Sequence, residues 1–480
     1  MNQFSKRDRV QPGRAGRMVV VLSTTLFAGA CGLLDVTNPN NVVEDALNNP
    51  GAATALANGA GATLTRALTA ILAPYGAVTD ELTYVGSRDA YGYADRGEVS
   101  DPFNEFADAA FPEMAEARWT GHNAVERLKG FNTENLLVDK NDLARALLYQ
   151  SIIFTAIGEI YDDFVISSDK TTGGDPIGEG NMSIVFDSAV AQTTEGLAVA
   201  GLTKDNKIRL LMMRARAKHS KAIWAKLNGS GGAPATTPVA SPLVNDAGAD
   251  ADAAAALTEL GALSDYKFKF TPLTQTIAGG FPVVGNDLNN RLELRTGDSQ
   301  AGSPSSLCRD ATCDSWVVPS SAGNTIASVK LQDPITNIVD PVFQANITEC
   351  CIKGTPNGQG DLVPLTIVSA REMLLIRAEH ALSTGNTAGF TTFINQLRGL
   401  NSTLTPYNGT TPAAVELLKH ERFVNLYNQG KRLMDMHRFG IRARKWVPAA
   451  EAYAKACFFP IQNIERSTDP ERFVKPLCRP

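Results

Sequence analysis

The chain has 480 residues, enough to bury a large core and to hold two or three domains. Its 44% hydrophobic and 20% charged content is that of a globular protein. The formal net charge is −5; the first thirty residues contribute +4 and so leave −9, and an acidic chain without a basic run excludes nucleic acid as a partner.

Met1–Ala30 has the three parts of a secretory leader. Lys6, Arg7, Arg9, Arg14 and Arg17 outweigh Asp8, the apolar run Met18–Gly29 follows, and Ala28, Gly29 and Ala30 precede Cys31. Small residues directly before a cysteine look like a bacterial lipobox, which implies cleavage before Cys31 and lipid on its thiol; the alternative is an ordinary signal peptide with a coincidental cysteine. The apolar run is too short to span a bilayer, and no later stretch approaches that length, so a membrane would be reached through the anchor alone. Six cysteines remain, Cys308, Cys313, Cys350, Cys351, Cys457 and Cys478. An even number in an exported chain suggests disulfides, with Cys457 and Cys478 suited to pinning the tail and the other pairings open. Zinc is the competing idea for the first four, but adjacent cysteines are poor tetrahedral ligands, so no metal is expected.

Residues 31–43 form a polar, turn-rich tether. Residues 44–265 are the first helical part, beginning with a small-residue run, Glu44–Ala73, whose glycines call for close helix packing to offset their low propensity. Residues 74–106 break the helical texture and are expected to be a binding loop. Tyr84, Tyr91 and Tyr93 stand there beside Arg88 and Asp89, and rings next to charged groups suit a sugar or peptide: a ring stacks on an apolar face while charges hold hydroxyls or amides. The alternative is that these tyrosines cap the helical body. Helices are predicted at Glu113–Gly130, Asp142–Tyr161 (with Asp142 as its cap), Ser183–Ala200 and Asn206–Asn228. Glu159, Asp162 and Asp163 sit together at a helix end, where carboxylate pairs are common without catalysis. Gly229–Ala255 is low in complexity and expected to be a mobile surface loop.

From 266 to 360 the texture becomes irregular. YKFKF alternates as a strand does, four of the cysteines gather there, and Trp316 is the ring best placed for a ligand, unless it packs against disulfides. Residues 361–480 return to helix, with Asp361–Leu382 and Ala388–Leu400 forming a helix–turn–helix pair of the length used in tetratricopeptide-like stacks. The stretch VELLKHERFVNLYNQGKRLMDMHRFG (Val415–Gly440) reads as two short amphipathic helices hinged at Gly430. Arg432, Asp435 and Arg438 fall at i, i+3 and i+6 and are expected to share a ridge that orients helices. The predicted architecture is all-α: a tetratricopeptide-like scaffold of helical hairpins with an irregular, disulfide-stapled insert.

This stretch resembles the C-terminal signature of the SusD/RagB family, matched at Glu421, Arg422, Leu426, Gly430, Arg432, Asp435 and Arg438. Asn425 and Gln429 stand where acidic residues are usual, and Met436 where leucine is. The family's L-I-R-A-E-A…N-x-x-R segment is similar to Leu375, Ile376, Arg377, Ala378, Glu379, Asn395 and Arg398. CFFPIQNIERSTDP resembles its F-P-I-P close, with Gln462 and Asp469 departing from it; LDVTNPN resembles its start, and Leu147–Phe164 its helix ending in an L-Y-G-D-like turn.

The resemblance implies a non-catalytic lipoprotein of the outer membrane, facing the cell exterior. It would capture an oligosaccharide, or in some members a peptide, and pass it to a SusC-like TonB-dependent barrel. Its general placement of binding residues falls on Tyr84–Tyr93 and around Trp316. The residues themselves give no zinc-protease, hydrolase-elbow, phosphate-loop or dinucleotide motif, and no cofactor is implied. His122, His219, His380, His420 and His437 are scattered without metal-ligand spacing. A secreted glycoside hydrolase and a ligand-free helical adaptor are the competing readings.

Overall fold

The computed structural model describes residues 44–167, 174–228, 239–270, 285, 293–297, 331–350, 364–470 and 472–473. The chain divides into two units, Met1–Ala52 and Ala53–Pro480. In the first, Glu44–Leu47 makes one helical turn (α1) and Pro50–Ala52 a 3-10 turn.

The second unit is mostly helical. Its first helix, α2 (Ala53–Val78), buries Ala57, Ala60, Leu64, Ala67, Leu68 and Ile71, spaced by three and four residues as one helix face requires. Gly61 lets this helix approach α5 (Asn141–Ile160): a Cβ there would stand 3.1 Å from the Tyr149 ring. Gly76 is tighter still, since its Cβ would meet Leu82 at 2.6 Å. Pro74 lies inside α2 rather than ending it, which corrects the expectation that residues 74–106 form a loop throughout. That stretch holds the end of α2, the strand β1 (Leu82–Tyr84), the helix α3 (Asp89–Asp95) and the start of α4 (Glu105–Thr133). The helix α4 begins eight residues earlier than predicted because the Asn104 side chain caps it, accepting from the backbone N–H groups of Phe106 and Ala107. Pro112 is carried within it.

The helices α6 (Ser183–Leu197), α7 (Lys204–Asn228) and α8 (Ala247–Leu260) follow, and each packs on its predecessor. The low-complexity stretch is therefore not loop throughout. Its alanine-rich end is α8, capped by Asp246 (which accepts from Ala249 N at 2.7 Å) and tied to α7 where Arg214 and Lys218 both reach Asp252. By length and a mean hydropathy of 1.3, α5 could cross a membrane, contrary to the sequence reading, yet its apolar window is 89% buried among the other helices. Asp142 does not cap α5; it accepts from Thr54 Oγ1 at 2.7 Å and pairs with Arg145.

Two short antiparallel ladders tie distant segments together. Strand β1 pairs with β3 (Leu294–Thr296), Leu82 opposite Thr296. Strand β2 (Lys267–Phe270), the alternating segment of the sequence, pairs with β4 (Leu365–Ser369). The helix predicted from Asp361 thus begins nine residues later: LTIVS is a β-branched run that takes the partner strand, and Ser369 caps α10 (Ala370–Ser383) by accepting from Glu372 N. The helix α10 packs on α8, α11 (Thr387–Arg398) and α12 (Ala414–Asn425), while α9 (Pro341–Cys350) packs on α12. Gly430 (φ +73°) makes the turn into α13 (Arg432–Phe439). Past two short helices, α14 (Glu451–Ala454) and α15 (Asn463–Arg466), no further element is described. The tail returns to the exit of α5: Phe459 N donates to Ile160 O, and Asp162 N to Phe459 O. Cys457 is buried and disulfide-bonded. Cys31, Cys308, Cys313, Cys351, Cys478 and Trp316 lie outside the described residues, as does the side chain of Cys350.

Candidate functional site

The charged signature residues are buried and paired. Arg432, Asp435 and Arg438 diverge instead of forming one row. Arg432 leaves α13 toward the end of α2, where Nε and Nη2 donate to Asp80 at 2.7 and 2.6 Å, and its guanidinium lies 4.5 Å from the centre of the Phe423 ring. Asp435 accepts from Arg422 Nε at 2.8 Å and Arg438 Nε at 2.9 Å. Arg438 also reaches Glu379, which pairs with His219 at 3.1 Å and accepts from Val244 N at 2.9 Å. Burial pushes the Glu379 carboxyl up, and Arg438, His219 and Arg422 together pull it well below the usual carboxylate range. Arg398 donates to Asp333 at 2.9 Å and Glu421 at 2.6 Å. Such groups tolerate burial only because each is paired, so their role is to lock α7, α10, α12 and α13 together.

The same segment holds the residues that lead to the aromatic cluster. Asn428 N donates to Glu81 Oε1 at 2.6 Å, the Tyr427 hydroxyl to Glu81 O at 2.8 Å, and Leu433 N to the Tyr75 hydroxyl at 2.8 Å. Trp446 Nε1 donates to Val78 O at 2.6 Å, where α2 ends. Strand β1 then presents Tyr84 at the edge of α3. The Tyr84 ring lies over Gly92, where a Cβ would come within 3.2 Å of two ring carbons and 3.8 Å of Arg96 Nη1. Asp89, Tyr93 and Arg96 share one face of α3 and its C-terminus, by their i, i+4, i+7 spacing. Asp89 and Tyr93 are exposed, and the Arg96 guanidinium stacks 4.6 Å from the centre of the Tyr93 ring while pairing with Glu98 at 3.0 Å. Behind this face, Glu293 accepts from Ser87 N at 2.6 Å and Arg88 N at 3.1 Å, fixing the turn between β1 and α3.

Of the residues singled out by sequence, Tyr84, Asp89 and Tyr93 come together on one surface. Arg88 stands at its border, paired with Glu105 at 3.1 Å and 5.6 Å from the centre of the Phe106 ring. Tyr91 is a correction: it is fully buried, stacked on Phe106 at 3.8 Å, because position 91 falls on the inward face of a helix that the sequence reading treated as loop. Burial, then Asp89, Glu293 and Asp95, raises the Tyr84 hydroxyl's pKa, so the phenol stays protonated. Gly92 and Glu293 were missed, while Arg96, one of the charged residues among the rings of 74–106, was not set on this face. Arg96 had a signal in its spacing from Tyr93 once α3 is recognised; Glu293, 206 positions from Ser87, had none.

Other polar groups are occupied structurally. Glu159 takes Arg216 and the Ser220 hydroxyl; Asp162 accepts from Phe458 N, and Asp163 from Phe164 N and Gly178 N. A cavity of about 20 Å³ beside Glu159 and Arg216, walled by Leu68, Leu72 and Ile152, has room for about one water. Asp333, Asp340 and His420 converge within 4.8 Å, a grouping invisible in the sequence spacing. They are already engaged: Asp333 with Arg398 and Thr336, and Asp340 with His420 at 2.8 Å and the N–H groups opening α9.

These features define a mainly helical protein in which the end of α2 and the helix α3 are joined to the segment 432–445 by buried ion pairs, with an exposed tyrosine–arginine face beside that junction. Its fold is that of the SusD superfamily. A SusD homolog from Bacteroides thetaiotaomicron matches with a TM-score of 0.55 at 13% identity, over 88% of this chain and 96% of the other. A second homolog from that organism gives 0.54 at 14% identity, covering 88% and 97%. A candidate sugar-binding protein from Bacteroides vulgatus gives 0.55 at 12% identity, covering 88% and 97%. No protein-family model matches the sequence, and no curated protein does.

Proposed function

We propose that this chain is a SusD/RagB-family lipoprotein, anchored to the outer membrane through Cys31 and facing outward. On this reading it captures an oligosaccharide without cleaving it and passes it to a SusC-like TonB-dependent barrel. The observation that carries the reading is the Tyr84–Gly92–Tyr93–Arg96 face, set on a fold shared with SusD homologs along nearly the whole chain. A sugar ring stacks on an open phenol while the neighbouring guanidinium and carboxylate take its hydroxyls. A structural neighbour described as a candidate sugar-binding protein and the lipobox-like leader support it. The occupied states of Glu159, Asp162 and Asp163 favour capture over hydrolysis. Packing of consecutive helices favours the tetratricopeptide-like description.

The test is retention of malto-, xylo- and cello-oligosaccharides on the immobilised full chain, with product analysis and co-purification from membranes. Wild type is expected to retain one class, release no product, and bring down a TonB-dependent barrel. Tyr84→Ala and Tyr93→Ala should each weaken retention by about 1–3 kcal/mol, the worth of a stacked ring lost from a binding site. Product release would point to a hydrolase, and retention of peptides alone to a peptide binder.

A further inference from the structure

The candidate face is built from the first quarter of the chain, yet its geometry is set by one cation from the last tenth. Lys445 is 4% exposed, and its ammonium donates to Leu82 O at 2.6 Å and to the Asp95 carboxylate. Asp95, also buried, accepts from Tyr84 N at 3.2 Å with the same oxygen. The lysine thus bridges the strand that presents Tyr84 to the end of the helix that presents Tyr93 and Arg96. Flanking contacts repeat the link: Val447 N donates to Arg96 O at 2.9 Å and Ala452 N to Gly97 O at 3.1 Å. Gly97 (φ +86°) lies so close to the Trp446 indole that a Cβ would stand 2.9 Å from it.

We propose that Lys445 and Asp95 are positioning residues for the candidate face, a buried latch that fixes the Tyr84 ring over Gly92 relative to Tyr93 and Arg96. The importance of that face rests on the capture reading given above; the latch itself does not. The ammonium is held by a carbonyl and a carboxylate, so its removal leaves β1 tied to the end of α3 through the single Tyr84 N–Asp95 bond, while the bulk of the helical body keeps its own ion pairs. The groups facing the Asp95 carboxylate are Lys445 from the C-terminal segment, Tyr84 from β1 and Arg96 from the end of α3. Burial raises Asp95 to about 6 against the pull of Lys445, so the closed latch takes up a proton as pH falls through that value and opening, which would release that proton, becomes harder.

The experiment compares full-length wild type, Lys445→Met and Asp95→Asn by hydrogen exchange, following residues 82–97 against residues 141–160 as an internal control, at pH 5 and pH 7.5. In parallel, retention of the malto-, xylo- and cello-oligosaccharides is measured. For Lys445→Met, protection at 82–97 is expected to fall about tenfold or more with the control unchanged, and retention to weaken by a similar factor. After correction for intrinsic exchange, wild type should gain protection at 82–97 on going to pH 5, and Asp95→Asn should show no such pH step. Unchanged protection in Lys445→Met, or equal losses in both regions, overturns the latch. Wild type that retains none of the three sugars would sink the capture reading, and the exchange data alone would then decide the latch.

Discussion

At the residue scale, the chain concentrates its buried charge on a few carboxylates that behave in opposite ways. Glu379 serves two arginines and a histidine. Glu379→Gln leaves Arg438 and Arg422 sharing only Asp435, and should cost about 3–5 kcal/mol, read as a lower urea midpoint. Glu81 is the contrary case. Burial pushes its carboxyl from the ordinary 4.5 to about 8, against the hydrogen bond from Asn428 N. A folded-state value above the unfolded one means the folded chain holds the extra proton. Its stabilising contribution is full below pH 4.5 and is lost as pH climbs to about 8. Lys431, lowered by burial to about 8, acts with the opposite slope between that value and its ordinary 10.5. Comparison with Glu81→Gln cancels the lysine, since both chains carry it. The variant should match wild type at pH 4 and be the more stable of the two at pH 9, in parallel denaturation series. The acidic and basic signature positions were legible as helix-orienting groups; their partners Asp80 and Asp333 were not, because an ion pair between residues 352 or 65 positions apart leaves no local pattern.

At the element scale, the long periodic helices α5, α6, α7 and α11 were readable to within a few residues, and so was the strand β2. The misses have local causes. Pro74 opened the stretch read as non-helical, and Pro112 stands just before the predicted start of α4, yet each is carried inside a helix that neighbouring elements hold in place. The segment before α10 has helix-compatible leucines, but its β-branched run LTIVS favours a strand once β2 is there to pair with it. Short α3 was hidden for a related reason: seven residues with a glycine carry too little propensity to declare a helix, and tertiary contacts supply the rest. One of those contacts is the turn at Gly97. Gly97→Ala should cost about 1–3 kcal/mol through its left-handed backbone, more once the methyl meets Trp446, and the loss should appear as a lower midpoint together with faster exchange at 82–97. The exposed part of the candidate face was half legible: aromatic residues amid charges marked the region, but which tyrosine turns inward depends on a helix register that the sequence alone did not reveal.

At the scale of the whole molecule, the signature near the C-terminus has its meaning in the N-terminal third. Residues 427–452 contact the end of α2, β1 and α3 through at least Tyr427, Asn428, Arg432, Leu433, Lys445 and Trp446. The helical class could be argued from motifs. The ladders that staple residues 82–84 to 294–296 could not, because a three-residue strand has no signature of its own.

The bridge between Lys445 and Asp95 closes a loop of 350 residues. A ribosome making this chain releases its aromatic surface long before the cation that steadies it exists, and the entropy of bringing such remote segments together must be met late in folding. Completion of that surface therefore reports on synthesis of nearly the entire polypeptide: a product cut short before Lys445 would carry both Tyr84 and Tyr93 and still lack the register between them.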